Sequence, residues 1–119
     1  MKDLSPLFQR VIKLIQAIPK GEVLSYSQVA TLVSAPGCAR HVSYILSSSS
    51  HKYDLPWHRV LNSQGKISLP VHGSYFRQKK YLENEGVVFE YEKISLATYS
   101  WQPSKADVKK ILKLSLIHI

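Results

Sequence analysis

Apolar residues recur at helical spacing from the start of the chain: Leu4, Leu7, Phe8, Val11, Ile12, Leu14, Ile15 and Ile18, with Gln9, Arg10, Lys13 and Gln16 between them. Ser5 followed by Pro6 supplies an N-cap and a proline at the first helical position, and Pro19-Lys20-Gly21 ends the run. Val23 and Leu24 read as a short extended segment. Ser25 is a second N-cap with Gln28 at the capping-box distance, so a helix is predicted through Val29, Ala30, Leu32 and Val33. Ser34-Ala35-Pro36-Gly37 is a turn by composition. Beyond it Ala39, Val42, Ile45 and Leu46 form an apolar stripe, with Arg40, His41, Ser43 and Tyr44 on the other positions. Two short helices joined by a turn containing glycine predict a helix-turn-helix, whose recognition helix spans roughly Gly37 to Ser47.

The polar run from Ser47 to Ser50 is expected to end that helix and act as a hinge. Val60 to Leu69 reads as a β-hairpin turning at Asn62 to Gly65, which would form a wing. Tyr75 to Glu85 is predicted helical with Gly86 at the C′ position. Val87 to Tyr91 alternates apolar and polar like a half-buried strand, and Lys105 to Lys113 forms a basic amphipathic helix. The fold class expected is mainly α with a small β-hairpin, a winged helix-turn-helix.

A chain of 119 residues with 45% hydrophobic and 20% charged positions fits one domain with a real core. The net charge of +8 points to a polyanionic partner, nucleic acid first. The single cysteine, Cys38, excludes an internal disulfide and fits a reducing cytoplasm, with association to the nucleoid if the source is bacterial. Met1-Lys2-Asp3 leads into an amphipathic pattern and not a signal peptide, and no apolar run is long enough to span a bilayer. The five histidines show no metal-ligand spacing with Cys38 or with each other, so no metal or other cofactor is expected. Residues 1–103 are taken as the domain and 104–119 as a basic and apolar tail. Its end, Leu114-Ser115-Leu116-Ile117-His118-Ile119, resembles an appended, non-native sequence, with a genuine terminal helix as the alternative. Removing the tail's four Lys and one Asp takes the charge from +8 to +5, still basic.

Pro56-Trp57-His58-Arg59-Val60 closely resembles the active-site signature Pro-Cys-His-Arg-Val of the O6-alkylguanine-DNA alkyltransferases, with Trp57 at the place of the nucleophilic cysteine. A thiolate beside a basic histidine can accept an alkyl group. An indole nitrogen is a donor with no basic lone pair, so it cannot. A lesion pocket kept without its chemistry is the property of the alkyltransferase-like proteins, which this chain resembles from about Phe8 to Gly86. The resemblance implies the winged helix-turn-helix of the alkyltransferase C-terminal domain.

It also implies roles by position. Within Gly21 to Ala30, Tyr26 falls on the tyrosine that crowds the target phosphate and helps rotate the nucleotide out. Arg40, in Ala39-Arg40-His41-Val42, matches the arginine finger that fills the vacated stack, and His41 and Tyr44 share its DNA-facing helix. Pro56, Trp57, His58, Arg59 and Val60 would make the lesion pocket. Glu85 matches the end of the acid-base relay, which here has no thiol to activate, so His58, Arg59 and Glu85 would be kept for structure. The residue types suit nucleotide flipping. Extruding a base costs a few kcal/mol, a planar guanidinium can stack in the gap, and an indole offers apolar surface to an alkyl group.

The chain also departs from the family. Ser49 stands for the hinge asparagine. The loop arginine that probes the flipped guanine in some members falls on Leu69 or Pro70, leaving Lys66, His72 and Arg77 as open alternatives. The function implied is non-catalytic recognition of O6-alkylguanine in duplex DNA by a monomer, signalling to nucleotide excision repair proteins. The competing readings are a winged-helix regulator using Arg40, His41 and Tyr44 on base edges, and a residual enzyme with another nucleophile. Cys38, at the start of the recognition helix with no histidine partner indicated by spacing, is a poor candidate for the latter.

Overall fold

The computed structural model describes residues 5–68 and 74–113. Helix α1 (Pro6–Gln16) starts as its sequence dictates, with the Ser5 hydroxyl accepting from the Phe8 N–H and Pro6 in the first turn. Its apolar stripe Phe8, Val11, Ile12, Leu14 and Ile15 is buried. Helix α2 (Tyr26–Leu32) carries the reciprocal capping box: the Gln28 N–H donates to the Ser25 hydroxyl, and the Ser25 N–H donates to Gln28 Oε1. The Arg10 Nε donates to the Val33 carbonyl, supplying a partner that the end of α2 lacks internally.

Helix α3 (Ala39–Ser49) follows the turn, and α2 packs on it as the first half of the helix-turn-helix. The serine run ends α3 as predicted, though the helix continues past Ser47 to Ser49, with Ser50 as its C-cap. Ser47, Ser48 and Ser50 donate their hydroxyls to the carbonyls of Tyr44, Ile45 and Leu46, satisfying themselves inside helical geometry. Burial of Leu46 and Ser49 outweighs the weak helix propensity of serine.

The hairpin is corrected. Leu24–Ser25 (β1) and Val60–Leu61 (β2) form a parallel pair, Leu24 opposite Val60 and Ser25 opposite Leu61. The Asn62 to Gly65 turn does form, with the Gly65 N–H on the Asn62 carbonyl at 3.1 Å. The Asn62 N–H also donates to the Lys66 carbonyl at 3.1 Å, and the chain leaving the turn then pairs a second time: Lys66 bridges Lys93, and the Ile94 N–H donates to the Gly65 carbonyl at 3.0 Å. Residues 69–73 of the predicted wing lie outside the described residues. The strand expected over Val87 to Tyr91 keeps its alternation of buried and exposed positions but makes only one bridge, Glu90 to Lys93. It reverses at Tyr91 and Glu92, both in the left-handed region at φ 52° and 65°.

Helix α4 (Phe76–Asn84) ends as predicted, with Gly86 at φ 94°. The Gly86 N–H bonds the Glu83 carbonyl and the Val87 N–H bonds the Leu82 carbonyl, a Schellman motif with Leu82 and Val87 in one apolar cluster. A single turn, α5 (Leu96–Tyr99), precedes Ser100, which bridges Val23 on the other side from Val60. The predicted terminal helix is α6 (Lys105–Lys113), packed on α1 with the Lys13 Nζ on the Leu112 carbonyl at 3.4 Å.

The fold is therefore mainly helical with a two-stranded sheet, and the sheet divides two cores. Leu24 and Val60 belong to the cluster built on α1, α2 and α3, whereas Val23 and Leu61 belong to the cluster around Ile67, Leu82, Val87 and Ile94. Strand alternation makes this division, since neighbouring side chains point to opposite faces. Among the described residues no helix is long and apolar enough to cross a membrane, and no group of His, Cys, Asp and Glu could hold a metal ion.

Candidate nucleic-acid interface

The signature pentapeptide forms a turn of 3-10 helix over Trp57–Arg59 that runs into β2. Three anchors fix it. His58 Nε2 lies 2.8 Å from Glu85 Oε2, and the Arg59 guanidinium holds the same carboxylate through Nη2 at 2.7 Å and Nε at 3.1 Å. Arg59 Nη1 also donates to the Ile18 carbonyl at 2.8 Å, and the Gly21 N–H donates to Glu85 Oε1 at 3.0 Å. Burial alone would raise the Glu85 carboxyl. The Arg59 guanidinium, the Gly21 N–H and His58 more than reverse that and hold it at about 2. The third anchor is Gln78, whose Nε2 donates to the carbonyls of His58 and Val60, each at 3.0 Å.

With His58 and Arg59 turned towards Glu85, Trp57 is left facing a cavity of about 650 Å³. Its walls come from the first residue of α2 (Tyr26), from α3 (Ser43, Ser47) and from the start of α4 (Arg77, Gln78). Trp57 is braced by Tyr81, their ring centroids 6.0 Å apart, and Tyr81 lies 5.4 Å from His58. Of the five signature residues expected around the pocket, Trp57 alone lines the cavity among the described residues. Val60 is a core residue of β2 at 1% exposure, and Pro56, His58 and Arg59 are half-buried supports.

The exposed face of α3 carries Arg40, His41 and Tyr44. Ser43 and Ser47 look into the cavity, whereas His41 and Tyr44, 6.4 Å apart, line a second groove on the other flank of the helix with Lys52. Arg40 lines neither groove and stands on the ridge between them. Of the three side chains weighed for the loop arginine's role, Arg77 lines the cavity, Lys66 sits on the bridge to Lys93, and His72 is outside the described residues. Ser49, expected at the hinge, is buried in the last turn of α3. Cys38 lies at the N-cap of α3 and not in the cavity. Sequence reasoning missed Gln78, although a polar residue four positions before the core residue Leu82 marks the inward face of α4.

Residues 6–87 match the model of the 6-O-methylguanine DNA methyltransferase, DNA binding domain. The chain is 46% identical over 95 residues to the DNA base-flipping protein of Vibrio parahaemolyticus, covering 79% of this chain and 94% of the relative. It is 36% identical over 103 residues to the alkyltransferase-like protein 1 of Schizosaccharomyces pombe, covering 81% and 94%. The crystal structure of S. pombe Atl1 in complex with damaged DNA containing O6-carboxymethylguanine matches with a TM-score of 0.74 at 32% identity, over 87% of this chain and 98% of that one. The Mycobacterium tuberculosis O6-methylguanine methyltransferase matches with a TM-score of 0.55 at 35% identity, and the matched region spans 46% of its chain.

Proposed function

The chain belongs to the 6-O-methylguanine DNA methyltransferase DNA-binding-domain family, and from that premise we propose that it recognises O6-alkylguanine in duplex DNA by nucleotide flipping and transfers nothing. The observation that carries this reading is Trp57 facing a cavity whose described lining holds no thiol, in a pentapeptide that resembles the family's signature with an indole for the cysteine. The relatives described as a base-flipping protein and an alkyltransferase-like protein support it.

In this reading α3 enters the duplex with Arg40 as the intercalating cation, because its guanidinium is exposed at the start of the helix and can stack on bases. Tyr26, at the first position of α2, presses on the phosphate of the target nucleotide and forms one wall of the cavity. His41 and Tyr44 contact the duplex beside Arg40. The extruded base enters against Trp57, whose apolar and π surface suits an alkyl substituent. His58, Arg59 and Glu85 hold the turn in place where an enzyme would use them to activate a thiol.

The protein acts as a cytoplasmic monomer that marks the lesion for nucleotide excision repair. The deciding experiment is binding to matched duplexes with and without one O6-methylguanine. A preference of about tenfold or more is expected for the lesion duplex, and equal affinity would leave an ordinary DNA-binding regulator. A reconstituted excision reaction checks the hand-off: incision near the lesion should rise when this protein is added, and unchanged incision would refute that part.

A further inference from the structure

Lys66 and Lys93 stand directly opposite each other in an antiparallel bridge. The Ile94 N–H donates to the Gly65 carbonyl, one step outside that pair. This makes Lys66 and Lys93 a pair not hydrogen-bonded to each other, the kind with the closest side chains and with Cα atoms about 4.5 Å apart. Both side chains leave on one face and both are exposed. Like charges placed this way weaken a sheet. Nothing described relieves them. Glu92, next to Lys93, is committed to the Tyr75 hydroxyl and to Lys79 Nζ at 3.0 Å. Among the described residues neither ammonium forms an ion pair, not even with Glu90, which bridges Lys93 through the backbone. The backbone cannot separate the two either. Asn62 Oδ1 fixes the turn by accepting from the Gln64 and Lys66 N–H groups at 2.9 and 3.0 Å, and the next residues, Ile67 and Ile94, are buried in one core.

Two cations held side by side towards solvent suit one small anion between them. We infer that Lys66 and Lys93 clamp a single phosphodiester of the DNA backbone, one ammonium on each non-bridging oxygen. Lysine meets phosphate as a point charge, so the contact carries no sequence or lesion information. The phosphate also cancels the repulsion between the two side chains, so the bridge is better satisfied with DNA than without it. Only five residues lead from Trp57 to Asn62, a span of at most about 18 Å. A duplex seated on the Trp57 cavity carries several phosphates within that length. The clamp rests on the DNA-binding part of the reading above and not on flipping.

The test has three arms. In an O6-methylguanine duplex, neutral methylphosphonate linkages are placed one at a time along both strands. Wild-type protein should lose about tenfold in affinity at one linkage that the double variant Lys66→Gln, Lys93→Gln ignores. On an undamaged duplex, the log–log salt dependence of that variant should be shallower than wild type by about 0.9, the value of one phosphate. Lys93→Glu places opposite charges across the bridge, so the free protein should melt a few degrees higher while its DNA affinity falls about tenfold or more. A lesion-selective protein with no such linkage, as expected if the lysines serve an acidic protein instead, would overturn the clamp. An unchanged salt slope, or a Lys93→Glu variant that binds DNA as wild type does, would do the same. Failure of the flipping reading is distinct. Lesion and undamaged duplexes would then bind equally, and the salt slope would still separate wild type from the glutamine variant.

Discussion

The backbone N–H of Gly21 donates to Oε1 of Glu85 at 3.0 Å, across 64 residues of chain. The same carboxylate takes the Arg59 fork and His58, so one side chain joins the link after α1, the signature turn and the end of α4. With the carboxyl held at about 2 against an ordinary 4.5, the sign of its pH dependence is fixed. Its contribution is complete above pH 4.5 and is lost as the pH falls towards 2. Unfolding by urea should lose about 2–3 kcal/mol over that interval. Glu85→Gln should cost a similar amount at pH 7 and flatten the acid limb. A variant as acid-sensitive as wild type would show that other carboxylates carry the effect.

Gly65 cannot take a side chain. A Cβ there would lie 2.5 Å from the Ile94 carbonyl oxygen, at a φ of 76°. Gly65→Ala should destabilise by about 2–4 kcal/mol, because the clash meets rigid backbone and the left-handed conformation adds to it. Thermal melts of the two proteins decide this, and an unchanged midpoint is the contrary result.

Arg40→Ala should weaken binding to lesion duplexes by about 1–3 kcal/mol, as the extruded base loses its replacement in the stack. Arg40→Lys should recover only part, since an ammonium does not stack in the plane. Fluorescence anisotropy of labelled duplexes measures both. Wild-type affinity in both variants would rule out Arg40 as the intercalating side chain.

Trp57→Cys rebuilds Pro-Cys-His-Arg-Val beside His58 and Glu85, but should give little or no alkyl transfer. The resemblance puts Ser49, in the last turn of α3, at the family's hinge asparagine, and a hydroxyl there would hold the pocket less firmly than an amide. In-line attack needs the alkyl carbon within roughly 3–3.5 Å of sulfur. Intact-protein mass after incubation with O6-methylguanine DNA should be unchanged for the variant and for wild type. Addition of one methyl to the variant would mean that the pocket still orients its ligand for chemistry.

The elements legible in the sequence are those with local signatures. Ser5-Pro6, the Ser25 and Gln28 box and Gly86 each place a helix end through contacts within a few residues. The pairing of Leu24 with Val60 has no such signature, because parallel partners lie far apart in sequence and share no turn. The turn signal at Asn62 to Gly65 is real and the turn closes between Asn62 and Lys66, but Lys66 also bridges Lys93, a partner with no local signature. The same division holds at the site. Trp57 is visible in a contiguous motif, whereas Gln78 acts on His58 and Val60 across 20 and 18 residues.

Val23 and Leu24 send adjacent side chains into different cores, as do Val60 and Leu61. Neither core can loosen without pulling on a backbone that the other holds, so the molecule should melt as one cooperative unit. Far-ultraviolet circular dichroism and the fluorescence of Trp57 and Trp101 should trace a single urea transition. This coupling means that a damaged core is felt at the cavity at once: no half-melted form keeps a working pocket.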